Sequence, residues 1–256
     1  MRQARERSGS GVYHIVMRGI NRQDIFYDDE DFQRFLETLR QIKSDQQFEI
    51  YGYCLMSNHI HLLIQEKTDQ ISRIMSRIGT SYAWWYNRKY NRSGHVFQGR
   101  YGSECVEDDK YLLTVIRYIH NNPVKAGMVS EPEYYQWSSI HTYYGGREYP
   151  PRLTEPEFIL GVIHQEPSEA IQGFRSFMKR DNEDKCLDND IKLRKTDGEL
   201  RAEIKVLMYG DPPDRLKDMT KEKRNEILRK IKEIDGVSLR QIARVTGLSL
   251  NFVFKA

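Results

Sequence analysis

The chain lacks the marks of a secreted, disulfide-built or membrane-spanning protein. It has three cysteines, Cys54, Cys105 and Cys186, far apart and in no CxxC pair. That excludes a disulfide framework and a zinc ribbon as the organising element. No apolar run approaches the roughly 18 residues that a membrane span needs. The opening MRQARERSGSG is basic without the apolar stretch of a secretory signal. No segment repeats another, and a reducing, cytoplasmic setting is expected. Neither sign of charge dominates, with 40 basic and 37 acidic residues and a net of only +3. The scarcity that matters is local, because no acid occurs between Asp69 and Glu104. That stretch carries Arg73, Arg77, Arg88, Lys89, Arg92 and Arg100, interleaved with Tyr82, Trp84, Trp85, Tyr86, Tyr90, Phe97 and Tyr101. Cations mixed with flat rings suit a single-stranded nucleic-acid surface, although the same rings serve equally as core.

What is present is core material. Hydrophobic residues make up 39% and aromatics 11% of 256 residues, with a mean hydropathy of -0.72. Alternation and β-rich composition predict strands at 11–18, 47–55, 59–65 and 95–106. Apolar residues at helical spacing predict helices at 29–44, 69–90 and 108–121, the last stopped by Pro123. The order β-α-β-β-α-β-α is that of an α+β, ferredoxin-like split βαβ antiparallel sheet with helices on it. This domain is expected to span residues 1–145. A wrap rich in Tyr, Pro and Gly, with a short helix near 167–179, and a polar linker at 181–198 follow over 146–198. Residues 199–256 are expected to form a small all-α domain. Its amphipathic helix at 219–234 precedes helices at 238–245 and from Ser249, joined through Gly247. That spacing suggests a helix-turn-helix, with Arg240 and Asn251 as candidate DNA contacts.

Two patterns carry chemistry. In Ser57-Asn58-His59-Ile60-His61-Leu62-Leu63-Ile64, His59 and His61 stand two apart on a strand and so share a face, where they could chelate one divalent cation. In Arg117-Tyr118-Ile119-His120-Asn121-Asn122-Pro123, Tyr118 and Asn122 stand four apart on a helix and share a face. Each pattern alone also fits plain packing. His14, between Val12 and Val16, reads as a core histidine or a DNA contact.

Together the motifs resemble a known family. Asn58-His59-Ile60-His61-Leu62-Leu63 with Arg117-Tyr118-Ile119-His120-Asn121-Asn122-Pro123-Val124-Lys125-Ala126-Gly127 is similar to the single-tyrosine HUH transposases of the IS200/IS605 type, nearest to the REP-associated branch. Tyr13-His14-Ile15-Val16-Met17-Arg18-Gly19 and Gly94-His95-Val96-Phe97-Gln98-Gly99-Arg100-Tyr101 add to the match, which covers roughly residues 10–145.

The resemblance implies a metal-dependent single-stranded DNA endonuclease and strand transferase acting on hairpin or palindromic repeat DNA. Tyr118 would be the nucleophile, forming a 5′-phosphotyrosine. His59, His61 and Asn122 would hold Mg²⁺ or Mn²⁺. Asn122 stands where the insertion-sequence relatives usually have Gln, so His120 is a rival third ligand, though its place on the helix favours Asn122. Arg117 and Lys125 are candidates to ease loss of the Tyr118 proton. Arg18, Asn21, Arg22, Arg100 and Lys125 lie in or beside the motifs as candidate DNA contacts. A monomer or homodimer associated with the nucleoid, and with no membrane partner, would follow. The rival readings are a DNA-binding regulator without catalysis and a hydrolase in which a metal on the two histidines activates water.

Overall fold

The structure is a computed structural model that describes residues 6–44, 48–180, 184, 186–187, 195, 197–234, 237 and 239–255, the side chains of 240 and 255 excepted. The chain divides into two compact units, Met1–Asp188 and Asn189–Ala256.

The first unit runs β1 (Val12–Arg18), α1 (Asp29–Lys43), β2 (Phe48–Met56), β3 (His59–Glu66), α2 (Ile71–Lys89), β4 (Gly102–Cys105) and α3 (Asp109–Lys125). Then come α4 (Ile140–Tyr143), α5 (Pro156–Ile163) and α6 (Pro167–Met178). Four strands form one sheet in the order β2-β3-β1-β4, each neighbouring pair antiparallel. Period-two alternation splits the side chains between two faces. Tyr13, Ile15 and Met17 of β1 and Ile60, Leu62 and Ile64 of β3 pack with Phe35, Leu39, Ile74 and Ile78 of α1 and α2. Val12 and Leu63 face the other way, toward Leu112, Val115, Ile116 and Ile119 of α3. The register shift in β2 between Ile50 and Gly52 exchanges its two faces. Gly52 also lets α3 come close, since a Cβ there would lie 2.2 Å from Ile116 Cδ1.

Local chemistry sets the helix ends. Asp28 and Asp31 form a reciprocal capping box at the start of α1. Asp108 accepts from the Tyr111 amide at 2.8 Å to start α3. Pro123 does not stop α3, contrary to the expectation from sequence. The helix runs on to Lys125, and Gly127, at φ 68, ends it. Proline removes the amide that would bond the Ile119 carbonyl. The Asn122 side chain supplies donors there instead, from Nδ2 to Tyr118 O at 2.9 Å and to Ile119 O at 3.5 Å.

The expected strand at 95–106 is also shortened, to Gly102–Cys105. Gly94 and Gly99 take positive φ, and the segment between them loops over the end of β1. Ile20 N donates to Val96 O at 2.9 Å and Gln98 N to Arg18 O at 2.7 Å. The stretch expected as an irregular wrap carries α5 as well as α6. Ile159, Phe174 and Met178 of these helices are buried with α3.

The second unit comprises α7 (Asp197–Leu207), a 3₁₀ turn (Pro213–Asp218), α8 (Lys221–Lys232), α9 (Leu239–Thr246) and α10 (Leu250–Lys255). Leu200, Ile204, Leu216, Leu228, Ile231, Ile242, Val245 and Val253 make its core. Gly247, at φ 67, turns the chain between α9 and α10. Most of the expected linker at 181–198, and Ser238, expected as a cap, lie outside the described residues.

Two glycines separate steric demand from mere presence. A Cβ on Gly19 would lie 2.2 Å from the Gln23 carbonyl oxygen and 2.9 Å from Ile25 Cγ2, whereas one on Gly79, inside α2, would meet only Met17 Cε at 3.4 Å and Phe97 Cδ2 at 4.0 Å. Gly19→Ala is therefore expected to destabilise the protein by about 1–3 kcal/mol. Gly79→Ala should be neutral or stabilising by about 0.5–1 kcal/mol through helix propensity. Urea unfolding of the two variants checks the contrast.

Candidate active site

The site begins with strand register. On the α3 side of the sheet, Glu104 of β4 stands directly opposite His14 of β1. His14 is opposite Leu63, and His61 is opposite Val16, so His14 and His61 are diagonal neighbours on one face. His59 follows His61 on the same face. The result is a polar row, Glu104–His14–His61–His59, across three strands. The His14 and His61 rings stack with centroids 5.4 Å apart, and His59 meets His61 edge-on at 5.1 Å.

The row orders its protons. The Glu104 carboxylate lies 3.8 Å from His14 Nδ1. Burial would raise the Glu104 carboxyl, but the His14 ring, the Tyr111 hydroxyl and the Leu187 amide hold it down to about 2. At 3.8 Å the carboxylate is beyond hydrogen-bond reach of Nδ1, but its negative charge favours the His14 tautomer with the proton on Nδ1 and the lone pair on Nε2. That nitrogen lies 3.1 Å from His61 Nδ1, which in this tautomer donates. The remaining nitrogen, His61 Nε2, is buried and has no hydrogen-bond partner among the described residues. Burial above all, with the cation Arg18 nearby, holds His61 well below its ordinary pKa, so it is neutral near pH 7. His59 is oriented separately. Asn58 Nδ2 donates to Arg22 O at 3.4 Å, which leaves the amide oxygen facing His59 Nδ1 at 2.6 Å. His59 Nδ1 thus carries the hydrogen, and its lone pair is also on Nε2. An orphaned, buried, neutral nitrogen on His61, beside a second oriented imidazole, suits a divalent cation. Among the described residues no three His, Cys, Asp or Glu side chains gather as a metal site, so further donors would be oxygens of another kind.

Helix α3 lays Tyr118 over this row. Its ring meets His61 at 5.7 Å and His14 at 5.9 Å, both edge-on. Lys125 Nζ sits 4.6 Å from the Tyr118 ring centroid. Asn122, one turn on, turns its amide nitrogen to the helix backbone, which leaves its carbonyl oxygen as the acceptor end. Arg117 does not serve Tyr118. It is held by Asp184 at 2.6 and 2.8 Å and lies over the Phe177 ring at 4.1 Å. His120 lies elsewhere, buried against Tyr143 and Phe174, with Nε2 2.8 Å from Ser139 Oγ and a pKa pushed down to about 3 by burial.

The other candidates lie outside this row. Arg18, opposite His59 in register, sits at the end of β1. Asn21 and Arg22 are exposed, both at positive φ, in the turn beside Asn58. Arg100 and Lys125 are exposed. In the second unit Asn251 is exposed on α10, whereas Arg240 lies on α9 with its side chain outside the described residues. The acid-free stretch proves mixed. Tyr82 and Tyr86 are core, and Lys89 is tied to Asp28, Glu30 and Asp31. Arg73 pairs with Asp69, and Arg92 with Gln23 and Tyr86. Trp84 is 62% exposed. Sequence reading missed two members of the site. His14 passes for a core histidine, and Glu104 has no motif around it. Only the pairing of β1 with both β3 and β4 brings them together.

Residues 8–122 match the family model described as Transposase IS200 like. A curated protein of Haemophilus influenzae assigned as a REP-associated tyrosine transposase is 26% identical over 157 residues, 57% of this chain and 89% of its own. A solved REP-associated tyrosine transposase bound to a REP hairpin is 20% identical, covering 57% of this chain and 86% of that one, with a TM-score of 0.49. A solved Deinococcus radiodurans protein assigned as a transposase is 18% identical, covering 47% of this chain and 97% of that one, with a TM-score of 0.34. Over residues 8–122 the chain is similar to the IS200-like transposases, a family of enzymes of DNA cleavage and strand transfer.

Proposed function

We propose that the protein cleaves and rejoins single-stranded DNA at hairpin or palindromic repeats, with Tyr118 as nucleophile and with Mg²⁺ or Mn²⁺ held by His59, His61 and Asn122. The observation that carries the reading is the orphaned His61 Nε2, buried beside the Tyr118 ring at 5.7 Å. The repeat association follows the name of the Haemophilus relative. A bound metal would polarise the scissile phosphate and neutralise its charge.

The chain's own residues do the rest. The Tyr118 hydroxyl attacks phosphorus, the bond from phosphorus to the 3′ oxygen breaks, and that oxygen leaves as a 3′-hydroxyl with the proton the phenol gives up. The 5′-phosphotyrosine keeps the diester bond energy, so another 3′-hydroxyl can reverse the step and join strands. A free phenol has a pKa of about 10. The ammonium of Lys125 over the ring favours the phenolate. The Glu104–His14 pair fixes the His61 tautomer and ring orientation. The first unit is read as a ferredoxin-like split βαβ, and α9 and α10 about Gly247 as a helix-turn-helix that adds duplex affinity through Asn251 and Arg240.

Incubation with Mn²⁺ and a 3′-labelled hairpin pool drawn from repeats flanking the gene should give a covalent protein–DNA band on a denaturing gel. Tyr118→Phe and a chelator should each remove it. Cleavage without adduct, unchanged in Tyr118→Phe, would instead identify a water-using nuclease. His14→Ala frees His61 to place its proton on Nε2 and should weaken Mn²⁺ binding by about 10- to 100-fold in calorimetric titration. An unchanged Mn²⁺ affinity would remove His14 from the site.

A further inference from the structure

A groove of about 700 Å³ opens between α2 and the 94–101 segment. Its walls include Met17, Gly79, Trp84, Phe97 and the arginines Arg18 and Arg100. No acidic side chain lines it among the described residues. Its volume is within the range of about 300–1,000 Å³ usual for ligand clefts. The groove exists because the 94–101 segment is laced to the end of β1 by the Ile20–Val96 and Gln98–Arg18 backbone bonds, and because Gly79 carries no side chain.

We infer that this groove holds the unpaired nucleotides that flank the scissile phosphate, with a base stacked on Trp84 and phosphates held by Arg18 and Arg100. The inference rests on the proposed strand-transfer reading. Three observations favour this occupant over an apolar peptide. The lining combines flat rings with cations and no acid, which is complementary to a base and a phosphate and not to a neutral chain. Trp84 is a large ring left 62% exposed inside a cleft, with the Arg88 guanidinium 5.6 Å from its centroid. Arg18 lines the groove and is also the register partner of His59, so the groove starts one strand position from the candidate metal ligands. A strand passing over His59 and Tyr118 turns round the end of β1 into it.

The test uses the full chain in a chelator, so that nothing is cleaved. Fluorescence anisotropy follows a fluorescein-labelled oligothymidylate of about twelve nucleotides, a length within the site sizes of single-strand binders. A companion oligomer of the same length carries abasic sites throughout. Trp84→Ala and Gly79→Leu, which fills the groove from a helix position, are each expected to weaken oligothymidylate binding by about 5- to 100-fold. The abasic oligomer should bind the unaltered protein about as weakly as oligothymidylate binds Trp84→Ala. Thermal melting by circular dichroism confirms that both variants are folded. Oligothymidylate binding within about twofold of the unaltered protein in both variants, or full affinity for the abasic oligomer, overturns the inference. The two readings fail separately. A Tyr118 adduct with unaffected variants faults the groove alone, whereas groove-dependent binding with no Tyr118 adduct faults the strand-transfer reading alone.

Discussion

The charge of the Glu104 carboxylate, 3.8 Å from His14 Nδ1, biases the proton order along His14 and His61. One ionised group at the sheet edge, held down by the His14 ring and the Leu187 amide, favours one tautomer of a ring two strands away. The far end of the row is a neutral imidazole nitrogen with no protein partner among the described residues, in a place too buried for an unpaired polar atom to be cheap. Such a nitrogen is a cost to the fold, and in the proposed function a divalent cation offsets it.

The surrounding architecture serves that row. The order β2-β3-β1-β4 puts His14 between Glu104 and His61, which no other placement of β1 would do. Gly52 and the register shift in β2 let α3 lie close against the sheet, and α3 carries Tyr118 to the rings. Pro123 deprives the Ile119 carbonyl of its usual amide just where Asn122 turns its own amide nitrogen inward. The proline and the asparagine thus act together: the side chain repairs the helix with one end and offers oxygen at the other.

Much of this was legible in the sequence, for definite reasons. His59 and His61 two apart on an alternating strand, and Tyr118 and Asn122 four apart on a helix, are local patterns that fixed periods translate directly into shared faces. The positions of α1, α2 and the β2–β3 pair follow from the same periods. Glu104 and His14 were not legible as site members, because their contact with His61 depends on strand order and register, which are non-local. The strand at 95–106 was overread because Gly94 and Gly99 interrupt it with positive φ, and Pro123 was overread as a stop because the compensating amide of Asn122 is a tertiary detail. Lys89 and Arg92 looked like nucleic-acid contacts only while their partners Asp28, Asp31 and Gln23, far back in the chain, were unseen.

The account stands or falls on where a cation binds. Crystals soaked in Mn²⁺ and measured above the manganese absorption edge locate it without reference to activity. The account predicts an anomalous peak bonded to Nε2 of both His59 and His61 and to the Asn122 carboxamide oxygen, facing the Tyr118 hydroxyl. A cation bound through His61 Nδ1 with His14 displaced, or no peak at the two histidines, would contradict it.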